Sequence, residues 1–81
     1  MNKERRQELF DVVDLLYDAI DRLEEIRDDE QDAFDDLSEG LQDSKTGESM
    51  LNAIDMLDSL NSEIQTVKGK VEAMASNKKA K

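Results

Sequence analysis

The chain has 81 residues and a net charge of −10, with 40% of its residues charged and only 37% hydrophobic. A chain this short and polar forms one small domain and cannot enclose a large core alone, so a second copy of itself is an expected partner. It holds no proline, cysteine, histidine or tryptophan, which points to long uninterrupted helices, removes any disulfide framework and leaves a zinc ion only carboxylates, so no cofactor and no metal are expected.

The chain begins Met-Asn-Lys-Glu-Arg-Arg, a basic start that no continuous apolar run follows. Neither a secretory leader nor a membrane span is expected, and a cytoplasmic protein is the reading, which the resemblance described below sets in a bacterial host. The first helix is predicted from about Lys3 to Glu39. Along it acidic residues recur at Asp11, Asp14, Asp18, Asp21, Glu25, Asp28, Asp32 and Asp35, a 3,4 ladder that returns to one face about every 3.5 residues. These eight carboxylates are the candidate partner-binding residues, in a column about 36 Å long at about 1.5 Å per residue.

Opposite them three apolar rows repeat in heptads. Leu9, Leu16, Leu23 and Leu37 form one, Val12, Ala19, Ile26 and Ala33 a second, and Val13, Ile20, Phe34 and Leu41 a third. A face three residues in seven is wider than a two-stranded seam and suits a helix with more than one neighbour. Phe10, Leu15 and Tyr17 extend it and form a possible apolar interface. Glu30 interrupts the leucine row, where it is expected to reach water or to pair with Arg27 or Lys45.

Gly40 falls where a helix C-cap is expected, and residues 43–47, Asp-Ser-Lys-Thr-Gly, supply turn and N-cap side chains. A second helix is predicted from about Lys45 to Ala75, with its inward stripe at Met50, Ala53, Leu57, Leu60, Ile64, Val67, Val71 and Met74 and with Ile54 widening it. Asn77 to Lys81 reads as a flexible basic tail after a single domain spanning 1–76. The short connection favours an all-α fold, an antiparallel two-helix hairpin over about 3–39 and 45–75, and two such hairpins are expected to dimerise into a four-helix bundle.

Charge is unevenly placed. Between Gln7 and Thr66 nineteen acidic residues face only Arg22, Arg27 and Lys45, a local charge of −16, while the remaining basic residues cluster near the two chain ends. A hairpin therefore has a basic end holding both termini and an acidic turn end, and pairing two copies antiparallel sets opposite poles together. Such a surface repels nucleic acid and bilayers and attracts basic protein surfaces.

Three stretches carry a resemblance: residues 2–9, Asn-Lys-Glu-Arg-Arg-Gln-Glu-Leu; residues 28–35, Asp-Asp-Glu-Gln-Asp-Ala-Phe-Asp; and residues 37–42, Leu-Ser-Glu-Gly-Leu-Gln, followed by Gly47-Glu48. Over roughly Asn2 to Leu60 the chain resembles small acidic helical proteins encoded by phages and prophages of Gram-positive bacteria. That group has no assigned activity. Its members often carry proline where Ser38 stands, which implies a first helix that continues further here. The resemblance implies a mobile-element setting, in which small acidic proteins inhibit host machinery.

Catalysis finds no support in the residues, which offer no histidine, no cysteine and no glycine-rich phosphate loop. Residues 28–39 place acids at the first, third, fifth, ninth and twelfth positions of a calcium-loop template, but Ala33 stands where that loop needs glycine. The acidic column has two readings. Thirteen acids from Asp11 to Glu39 lie about 3.2 Å apart along the axis, against about 3.4 Å per phosphate on one DNA strand. The chain is thus expected to be a non-catalytic inhibitor that mimics nucleic-acid charge and occupies the basic groove of a host defence protein, without touching nucleic acid or membrane itself. The alternative is a structural bundle or oligomerisation module whose acidic face serves solubility only.

Overall fold

A computed structural model describes residues 1–76, and the basic stretch 77–81 lies outside the described residues. The molecule is all-helical, with α1 spanning Lys3–Asp35, a single turn α2 spanning Glu39–Gln42, and α3 spanning Lys45–Ser76. Among the described residues there is no strand, and no helix is long and apolar enough to cross a membrane.

Asn2 starts α1. Its extended backbone lets the side-chain oxygen accept from the Arg5 amide at 2.8 Å, one of the four donors that a helix start leaves unpaired. The predicted continuation to Glu39 is corrected: α1 ends at Asp35. No basic residue sits in its last turn, and acids there oppose the helix dipole. The Leu37 amide donates to the Phe34 carbonyl at 3.0 Å, tightening the final turn, and Ser38 adopts extended backbone to cap α2. A serine competes for the chain as a cap, so the helix ends here without a proline.

Gly40 is also corrected, from C-cap to a place inside α2 without positive φ. Gln42 closes the corner instead, its side-chain amide donating to the Phe34 and Leu37 carbonyls at 3.2 Å each. Ser44 caps α3, its hydroxyl accepting from the Gly47 amide at 3.5 Å. Gly47 is buried because α2 crosses above it: a Cβ there would stand 2.8 Å from the Gln42 Cα and closer still to its carbonyl.

The long helices pack against each other, and α2 packs on α3. On α1 the inward row is Leu9, Val13, Leu16, Ile20, Leu23, Arg27, Glu30 and Phe34. That is two positions per heptad, so the second expected row is only partly covered, with Val12 and Ile26 exposed and Ala19 and Ala33 half-buried. On α3 the inward row is Gly47, Met50, Ile54, Leu57, Asn61, Ile64, Lys68, Val71 and Ala75. The expected stripe is therefore half corrected: Met50, Leu57, Ile64 and Val71 face inward as expected, while Leu60, Val67 and Met74 are exposed.

Lys68 fits the seam because its stem lies along apolar surface while its ammonium sits 4.2 Å from the centroid of the Tyr17 ring and 3.4 Å from Glu72. Asn61 fits because its side-chain oxygen accepts from Gln65 at 2.8 Å. The buried apolar core is small, being Val13, Ile20, Ile54 and Ala75.

Candidate functional site

All eight rungs of the ladder, from Asp11 to Asp35, lie within α1, and every one is exposed. The inward row faces α3, so the ladder occupies the far edge of α1 by helical geometry. Three rungs have neighbours. Asp18 accepts from Arg22 at 3.2 Å one turn on, Asp35 accepts from the Gln31 amide at 3.0 Å, and Asp28 stands 3.6 Å from Arg27. Exposed pairs of this kind contribute a few tenths of a kcal/mol at most. Asp11, Asp14, Asp21, Glu25 and Asp32 have no ion pair or side-chain hydrogen bond among the described residues.

Arg27 meets the column only at Asp28. It occupies an inward position and reaches across to α3, where its Nε donates to Asp58 at 3.0 Å. That bond, then the Asp58 charge, raises the guanidinium pKa above its ordinary value, with Asp28 adding less. A raised cation pKa stabilises the fold at every pH below the ordinary value, and the contribution is lost only in strong alkali. Of the alternatives expected for Glu30, reaching water or pairing with Arg27 or Lys45, neither pairing is found among the described residues. Glu30 is half-buried without an ion-pair partner among the described residues, because Asp58 holds the guanidinium.

The contact of Arg27 with Asp58 was not foreseen from the sequence, which set Arg27 only as a partner for Glu30. Its signal was a gap: the row Val13, Ile20, Phe34 skips position 27, and a charged side chain at an inward place implies a partner across the seam. Glu24, Arg27, Asp28, Asp58 and Asn61 line a shallow open groove of about 400 Å³ on that side. The acids of residues 28–35 radiate along α1, and no three of the described carboxylates converge to hold an ion.

The apolar candidates do not form one patch. Phe10 and Tyr17 share the side where Tyr17 meets Lys68. Leu15, 69% exposed, lies on the opposite side with Val12 and Ala19, since residues three and four apart share a helix face. Comparison with protein families, curated proteins and solved structures finds no match to this chain.

Proposed function

We propose that the chain is an antiparallel helical hairpin that pairs with a second copy as a four-helix bundle, and that its acidic column occupies a basic, nucleic-acid-binding groove of a host protein. The hairpin is supported by two contacts between α1 and α3. Tyr17 meets Lys68 and Arg27 meets Asp58, so ten residues forward on α1 is ten residues back on α3. A longest dimension of 58 Å also agrees with side-by-side helices of 33 and 32 residues, since each is about 50 Å long.

The binding reading rests on one observation: eight exposed carboxylates in register along one helix edge, six of them without a counter-charge among the described residues. The absence of counter-charges has a physical cost, because like charges at three- and four-residue spacing destabilise a helix. A basic groove would relieve that repulsion. The resemblance to phage-encoded acidic proteins makes the natural target a host defence protein that handles nucleic acid, in the bacterial cytoplasm. A solubility-only scaffold is the competing reading, and the exposed apolar residues favour its self-assembling part.

The test is retention of host proteins on the immobilised chain. The binding reading expects one basic protein, released by moderate salt and displaced by duplex DNA. Asp18, Asp21 and Glu25 all changed to Lys should lose it by on the order of a hundredfold, and the same three as Asn or Gln by less. Retention indifferent to charge reversal and salt, yet lost in Phe10→Ala or Tyr17→Ala, would make the aromatic side the interface instead.

A further inference from the structure

Of the apolar residues left outside the seam, Phe10 and Tyr17 take one side and two rows gather on the other. Tyr17, Arg27, Asp58 and Lys68 meet on one broad side of the helical pair. Val12, Ala19 and Ile26 stand beyond the inward row of α1 on the other side, and Leu60, Val67 and Met74 do the same on α3. The two rows therefore run next to each other, Ala19 beside Val67 and Ile26 beside Leu60. Ile26 is 53% exposed, Val67 48% and Met74 56%. One broad side thus carries two adjacent apolar rows, while the other carries the Tyr17–Lys68 and Arg27–Asp58 contacts.

We infer that this side binds a second copy of the chain through a two-fold axis running across the helices, so that α1 lies antiparallel on the partner's α1 and α3 on the partner's α3. Three observations select this occupant and this symmetry. Full overlap of the rows under that axis sets Val12 level with a second Ala33, Ala19 with a second Ile26, and Met74 with a second Ala53, large residues meeting small in three of the four kinds of pair, with Leu60 level with a second Val67 as the fourth. Turning the axis along the helices would stack Val12 on Met74 at one end and Ala33 on Ala53 at the other, leaving a bulge and a gap.

The charge poles agree as well, because the crosswise axis sets the basic terminal end of each copy, with Lys3, Arg5 and Arg6, beside the acidic break end, with Asp35, Asp36 and Glu39. Area is sufficient. The chain exposes 6139 Å² at 9.2 kDa, whereas a compact monomer of that mass exposes roughly 4,900 Å². The difference exceeds the about 800 Å² that each partner hides in a standard interface.

The consequence deepens the proposed function and rests on it only for its meaning. With α1 on α1, both acidic ladders lie along the same edge of the bundle and run in opposite directions, as the two phosphate strands of a duplex do. One basic groove would then meet two antiparallel rows of carboxylates. Because those rows repel each other, self-association tightens as salt rises, while target binding weakens.

With no native cysteine, a disulfide can test the axis without any target present. Ala19→Cys combined with Ile26→Cys in one chain should oxidise to a covalent dimer, since the two positions are too far apart along one helix to close within a chain. Leu60→Glu should sediment as a monomer with an unchanged helical spectrum. The inference is overturned if the double variant stays uncrosslinked. It is overturned equally if a mixture of Ile26→Cys and Leu60→Cys chains crosslinks more readily, or if Leu60→Glu remains dimeric. These readouts report self-association alone, so a failed inference leaves the charge-reversal test of the acidic column standing, and the converse holds.

Discussion

The two long helices use the same packing scheme and very different surfaces. Over Lys3–Asp35, α1 carries thirteen acidic and five basic residues, whereas α3 over Lys45–Ser76 carries five and three. Both bury a two-in-seven row, and both leave a third apolar row partly exposed on the same broad side. Yet the outer edge of α3, Glu48, Asn52, Asp55, Ser59, Ser62 and Thr66, holds only two acids. A helix of this length in this molecule evidently forms and packs without a carboxylate ladder, so the fold does not demand the ladder on α1. That difference is the reason for assigning the ladder a partner.

If packing is shared and charge is not, truncations at the seam should act alike on both helices. Ile20→Ala and Ile54→Ala remove nearly buried side chains, 6% and 4% exposed, and each should cost about 2–5 kcal/mol in urea unfolding. A large cost on one helix only would mean that the two are not equal partners. The corner between them is tested by its glycines. Gly47→Ala forces a Cβ into the Gln42 backbone, which cannot move aside, and should lose about 1–3 kcal/mol. Gly69→Ala meets nothing within 4 Å and should gain about 0.5–1 kcal/mol from helix propensity. A gain at Gly47 would show that α2 does not lie over the start of α3. The smallest effect is that of salt, which should raise the melting temperature slightly by screening the ladder. A variant with Asp18, Asp21 and Glu25 neutralised should lose most of that salt response, whereas one altered at Asn52, Ser59 and Thr66 should keep it.

The helices and the ladder were legible because they rest on periodicity, which sequence carries directly. The start at Lys3 and the restart at Lys45 match the structure, and all eight rungs fall on one exposed edge. The end of α1 was not legible, because it depends on Ser38 and Gln42 acting together on carbonyls across the corner. Nor was the inward row of α3. Apolar residues there fill two overlapping stripes, and composition alone favours Leu60 and Val67 over Asn61 and Lys68. At the inward places Lys68 meets Tyr17 across the seam, and Asn61 accepts from Gln65 one turn on along α3 itself. The grouping of Leu15 with Phe10 and Tyr17 failed for a related reason: which side of a seam a residue takes is fixed only once the seam is known.

The central claim is that the position of charge, and not its amount, makes the site. It is tested by moving charge between the helices at constant total. Asp18→Asn, Asp21→Asn and Glu25→Gln remove three rungs from α1, and Asn52→Asp, Ser59→Asp and Thr66→Glu restore the same net charge on the outer edge of α3. Retention of the basic target by this six-fold variant is then measured against the unaltered chain at one salt concentration. The account predicts a loss of target with helicity and solubility unchanged. Undiminished retention would mean that total charge suffices and that the ladder on α1 is not a binding site.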